Sequence, residues 1–167
     1  MHAATIAPPA PIGFHDPIAL RIALMTGSMT AIPYLVLATR FPLLMLWTAG
    51  GGYLACVLYR RHSGRHLPVR GAAHLGWMQA LVSFVMATVL FSMYLLLRGI
   101  DDLRSLLFSG IPHDDARYQQ LANMYKDPTV FGMSIVMAWV LVDIFAALSA
   151  MAGAAFAAKM NNSGRSA

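Results

Sequence analysis

Asp143 is the one acidic residue set well inside a long apolar run of this chain. Placing Asp at the centre of a membrane helix costs about 2.5–3.5 kcal/mol on insertion scales, so it should face protein or water. At about 100° per residue, Asp143, Ala146, Ala147, Ala150, Ala154 and Ala157 share one side of a helix, and Ser149, Gly153 and Ala157 form an overlapping series of small residues. Such a face lets another backbone approach closely. The polar side chains at similar depth are Gln79, Ser83 and Thr88 on one run and Thr26 and Thr30 on another. Two chemistries follow. Either Asp143 joins helices by hydrogen bonds, worth about 0.6 kcal/mol on average in bilayers, or it titrates in a polar pocket and takes part in proton or cation passage. With no intramembrane Lys, Arg or second acid, a relay is incomplete, and the hydrogen-bonding role is the expectation.

Gly50, Gly51 and Gly52 fall at the middle of another apolar run. Three consecutive glycines weaken a helix by about 1 kcal/mol each relative to Ala, but lipid offers no partner to freed backbone groups. They mark an unwound stretch lining an ion site or, as expected here, a helix contact with the face carrying Ala146, Ala150, Gly153, Ala154 and Ala157. They precede no Lys-Ser/Thr pair and follow no strand, which excludes a phosphate loop.

The histidines point to no metal or haem. His62 and His66 are four apart, but Gly64 and Pro68 argue for a loop there, and His74 stands near the end of a run. His113 beside Asp114 and Asp115 is a weak metal set that a solvated turn explains equally well. Single Cys56 excludes an intramolecular disulfide and a cysteine-based cluster. There is no Glu in the chain, and no nucleophile, base and orienter can be assembled. An enzyme is the least supported class, and no cofactor is expected.

The elements that must position these residues are membrane spans. Of 167 residues, 58% are apolar and only 11% charged, with mean hydropathy +0.60, whereas soluble domains carry about 25% charged residues. Spans of about 20 apolar residues are expected at 18–39, 41–59, 73–97 and 129–158, the last long enough to tilt or extend past the bilayer. Residues 1–17, with four prolines and no Lys or Arg, read as a disordered tail rather than a signal peptide. Residues 160–167 form a second tail, so the membrane domain is 18–159. Thr39-Arg40-Phe41-Pro42 makes a tight hairpin between the first two spans. Pro33 is placed to kink the first.

Arg60, Arg61, Arg65 and Arg70 stand without an acid in the eleven-residue loop 60–70, a positive-inside signal. With Arg21, Lys159 and Arg165 against Asp16, that side carries +6, while the opposite side balances to zero. Both termini are therefore expected in the cytoplasm. The arginines serve orientation or, at about 1 kcal/mol per basic residue near the surface, anionic lipid. They sit between apolar runs rather than on one basic face, so nucleic acid is not a partner. Tyr59 and Trp77 at one interface and Phe41, Trp47 and Tyr94 at the other fit aromatic belts.

Residues 98–127 leave the apolar regime. Leu103, Leu106 and Leu107 after Asp101 and Asp102, and Tyr118, Leu121, Ala122 and Tyr125 after Asp114 and Asp115, predict two short helices around 110–112. They cap the bundle or lie on the outer leaflet.

The stretches Leu46-Trp47-Thr48-Ala49-Gly50-Gly51-Gly52-Tyr53, Tyr59-Arg60-Arg61-His62-Ser63-Gly64 and Arg70-Gly71-Ala72-Ala73-His74-Leu75-Gly76-Trp77 together resemble a type of small bacterial four-helix inner-membrane protein of unassigned activity, some of which carry an N-terminal zinc ribbon. The resemblance covers about residues 40–98 and implies a four-span bundle in a bacterial inner membrane. This chain lacks the N-terminal Cys pairs, so no zinc ribbon is carried over. The expectation is thus an all-α integral membrane four-helix bundle with a short amphipathic external helical segment. Its expected role is that of an oligomeric assembly or accessory component, with a small proton- or ion-coupled transporter or channel using Asp143 as the alternative.

Overall fold

In a computed structural model of the protein, residues 12–37, 40–65, 67–108 and 116–163 are described. Among them the chain is entirely helical: α1 (Pro17–Leu37), α2 (Phe41–Ser63), α3 (Val69–Arg98), α4 (Ile100–Phe108), α5 (Ala116–Met124) and α6 (Pro128–Ser163). Outside the described residues lie most of the expected N-terminal tail, Thr39, His66, the expected turn at 110–112, His113, Asp114, Asp115 and the end of the C-terminal tail with Arg165.

Helix ends follow local chemistry. Asp16 caps α1: its Oδ1 accepts from the Ile18 N–H at 2.9 Å and the Ala19 N–H at 3.3 Å, and Pro17 takes the first position, where its missing N–H costs nothing. Pro42 stands likewise in the first turn of α2. The stop of α2 is Gly64 at φ 63°, whose N–H reaches the Arg60 carbonyl at 3.0 Å, a left-handed cap that glycine adopts without strain. Gly64, not Tyr59, therefore ends this helix. The Arg-rich connection is shorter than expected: Arg60 and Arg61 lie in the last turn of α2, Arg70 lies in the first turn of α3, and α3 starts at Val69 rather than 73. Asp127 opens α6 by accepting the Thr129 N–H at 2.8 Å.

The four long helices alternate in direction. Tyr59 meets Asp16 and Gly51 meets Thr30, so α1 and α2 are antiparallel. Phe14 packs on Trp77 and Thr30 on Ser83, which sets α3 along α1. Met45 meets Ser149 and Ala49 meets Gly153, which sets α6 along α2. The α2 and α3 helices touch each other and both touch α1 and α6. Residues 12–16, the end of α2, the start of α3 and the end of α6 thus share one end, and Arg40, α4 and α5 share the other. The α4 helix leans on α3, where Tyr94 donates to Asp102 at 3.0 Å.

The core is built from small residues. Ala19, Ala23, Ala55, Ala72, Ala154 and Ala157 are fully buried with Cys56, Tyr59, Leu75 and Met78 toward the arginine-rich end. Tyr34, Leu44, Ala87 and Ala146 form a second cluster toward the other end, with Met45, Trp139 and Val142 against it. Many bulky side chains point outward instead: Ile32 and Leu46 are each 72% exposed, Met133 71% and Leu96 86%. A water-soluble fold buries such residues and avoids large apolar patches. The α2 and α3 helices and residues Pro128–Met160 of α6 are each long and apolar enough to cross a membrane. The fourth long helix, α1, has 21 residues with Pro33 inside and Arg21 in its first turns.

Candidate functional site

Between the two core clusters lies a polar layer. Gln79 Nε2 donates to Thr30 Oγ1 at 2.7 Å and to Ser83 Oγ at 3.0 Å, and the two hydroxyl oxygens are 2.6 Å apart. Ser83 donates to the Gly27 carbonyl across the α1–α3 contact at 3.0 Å, and Thr30 to the Thr26 carbonyl at 2.7 Å. All four side chains, Thr26 included, are buried. The layer holds α1 to α3 by groups that are satisfied where water is excluded. Gln79 Oε1 is the atom it leaves without a partner among the described residues.

The glycines let α2 pass close to this layer and to α6. A Cβ on Gly51 would press on the Thr30 methyl and the Gln79 amide, and one on Gly52 would collide with the Ala150 carbonyl oxygen. Gly153 stands in the same way against the Ala49 carbonyl, and Gly76 against Ala150. Gly50 differs: nothing lies within 4 Å of its Cβ position. All three glycines are helical, within α2. Ala146, Ala150, Ala154 and Ala157 are buried inside the bundle, so the small-residue face of α6 is taken up by α2 and α3.

Asp143 stands apart from these groups. It is partly buried on α6, and the interhelical hydrogen bond expected of it is not formed among the described residues. Gln79 and Ser83 are engaged in the polar layer, and Thr88 accepts the Trp139 indole N–H at 3.1 Å. A Ser or Thr on a helix has its own carbonyl one turn back as a ready acceptor, which is why Thr26 and Thr30 turn to their own helix. Trp139, one turn before Asp143 on α6, meets the Tyr34 ring at 5.8 Å. Tyr34 is buried, and its hydroxyl has no hydrogen-bond partner among the described residues. Sequence reasoning passed over Tyr34. The available signal was a phenol one turn beyond Thr30 on the helix that also turns Thr26 and Thr30 to the interior.

At the arginine-rich end Arg61, Arg65 and Arg70 are exposed and Arg60 is half-buried. Asp16 accepts the Tyr59 hydroxyl at 2.6 Å, tying the start of α1 to the end of α2. Burial alone would raise the Asp16 pKa, but the Tyr59 hydroxyl, the Ala19 and Ile18 N–H groups and the charge of Arg65 outweigh it and hold the carboxyl below its ordinary value. Among the described residues no three His, Cys, Asp or Glu side chains cluster to hold a metal. No known protein family, curated protein or solved structure matches the chain.

Proposed function

We propose that this is a four-span protein of a bacterial inner membrane that acts as a non-enzymatic assembly or accessory component. In this reading α1 joins α2, α3 and α6 as a span, both termini are cytoplasmic, and Arg60, Arg61, Arg65 and Arg70 face cytoplasmic anionic lipid. No cofactor enters. The observation that carries the reading is the groove between α1 and α2, about 550 Å³ and lined by Met29, Leu46, Trp47, Gly50, Tyr53 and Leu54 among others. Gly50 leaves bare backbone open at that groove, and small residues on an outer face are what close helix–helix contacts in lipid use. The α6 face is already consumed within the bundle, so the groove is a surface open to a second membrane helix.

Cysteine placed at Leu46, in a Cys56→Ser background, is expected to crosslink to a second copy or to another membrane protein in native membranes. Gly50→Leu, which fills the groove, is expected to abolish that product. Recovery of monomers alone, from native membranes and from several detergents, would overturn the assembly reading. It would leave the alternative, a small proton- or ion-coupled transporter or channel. That alternative is favoured by one observation, the lack of a hydrogen bond to Asp143 among the described residues.

A further inference from the structure

The three glycines of α2 point in three directions, because successive helical residues are about 100° apart. Gly51 abuts Thr30 and Gln79, and Gly52 abuts the Ala150 backbone, so both are spent inside the chain. Gly50 has nothing within 4 Å of its Cβ position and opens on the outer groove between α1 and α2. It lies in an exposed stripe of bulky side chains. Leu43, Leu46, Gly50 and Tyr53 follow one another at steps of three, four and three, and Leu43, Trp47, Gly50 and Leu54 at four, three and four. That alternation is the spacing of a knobs-into-holes seam, which repeats about every 3.5 residues. Leu46, 72% exposed, stands out as the knob, and Gly50 one turn later is the hole.

We propose that α2 of a second copy of this chain seats in the groove, so that two copies pair in parallel about a two-fold axis, each inserting Leu46 beside the other's Gly50. The inference rests on the assembly reading and names the partner. Three features select a second copy over a different protein. A two-fold interface uses the same patch twice, so one patch must hold both knob and hole. This stripe holds them one turn apart, whereas a different partner needs only the hole. Two copies inserted with the same sidedness run in the same direction, so residues at similar depth meet across the seam, as Leu46 and Gly50 do. Equal residues also bring equal charges together, which a two-fold seam in lipid does not tolerate, and no charged residue occurs from Phe41 to Tyr59. The α1 wall of the groove adds Met29, a flexible side chain that fits itself around an entering helix. Association of helices in lipid is driven by packing, and the open space of about 550 Å³ beside Gly50 is where dispersion contacts are still to be gained.

The test is a single-cysteine scan of the full chain in a Cys56→Ser background, oxidised in native membranes. Two differently tagged copies are expressed together, so that a disulfide-linked homodimer is identified by both tags. Leu43→Cys, Leu46→Cys, Gly50→Cys and Tyr53→Cys sample the stripe, while Val85→Cys on α3 and Met137→Cys on α6 sample exposed faces elsewhere. Homodimers are expected from the stripe and only background from Val85 and Met137. Adding Gly50→Leu to Leu43→Cys should cut the homodimer yield at least about fivefold by overfilling the seam, with the thermal midpoint showing that the chain still folds. If Gly50→Leu does not fold, Leu46→Ala, which removes the knob, takes its place and should also lower the yield. Unchanged yield in the folded variant would overturn the seating of Leu46 against Gly50. Homodimers through Val85 or Met137 in place of the stripe, or stripe cysteines that link only to a different protein, would overturn the inference and leave the assembly reading standing. Monomers at every position would overturn both.

Discussion

At the scale of single residues, the three consecutive glycines are the sharpest case, because identical residues have different duties. Gly52 faces the Ala150 carbonyl, whereas the Cβ position of Gly50 is open. Gly52→Ala is therefore expected to lose about 1–3 kcal/mol of stability by overpacking. Gly50→Ala should be neutral or gain up to about 1 kcal/mol, because alanine is the better helix former. Denaturation of both variants in mixed micelles checks this, and a Gly52→Ala protein as stable as wild type would refute the close crossing. The sequence showed that these glycines belong to a contact or an unwound stretch, but not which of them faces a backbone. That depends on the rotation of α2 about its axis, which only its neighbours set. Asp143 is similar: its place along a long apolar helix was legible, its neighbours were not.

At the scale of elements, ends were more legible than partners. Pro42, Gly64, Gly99 and Asp127 all stand where a helix starts or stops, and each does so for a local backbone reason. The tie between α1 and α2 through Asp16 and Tyr59 joins residues 43 positions apart and has no local signature. Its pH behaviour follows from sign. The folded Asp16 carboxyl is held below its ordinary value, so its contribution is present above that value, about 3.9, and is lost as pH falls through the lower folded one. Asp16→Ala should cost about 1 kcal/mol at neutral pH through the lost cap, and the gap to wild type should close as pH falls below about 4. Thermal midpoints of both proteins between pH 7 and pH 3 test this, and a gap that stays constant over that range would show that the ionised carboxylate is not the acting group.

At the scale of the whole molecule, many large apolar side chains face outward, while alanines and glycines fill much of the interior around one polar layer. The arginine-rich end and the end bearing α4 and α5 are at opposite poles of the bundle. A +6 balance at one end against zero at the other predicts that the arginine-rich end stays in the cytoplasm. Cys56 is fully buried and so should be silent to a membrane-impermeant maleimide. Cysteine placed at Lys126 is expected to label from outside intact cells, and cysteine placed at Arg65 only after permeabilisation. The reverse pattern would invert the orientation.

Composition, run length and charge asymmetry determined the class of protein, the positions of the long helices and the expected sidedness. These are properties of a segment and the solvent it meets, so they need no knowledge of neighbours. The tertiary structure decided what the interior polar groups do. It closed Thr30, Gln79 and Ser83 on one another, spent the small-residue face of α6 inside the bundle, and gave Tyr34 and Asp143 no side-chain hydrogen bond among the described residues. Hydrogen bonds and close backbone crossings depend on helix rotation and register, which are set by contacts between residues far apart in the chain, and no local pattern encodes them.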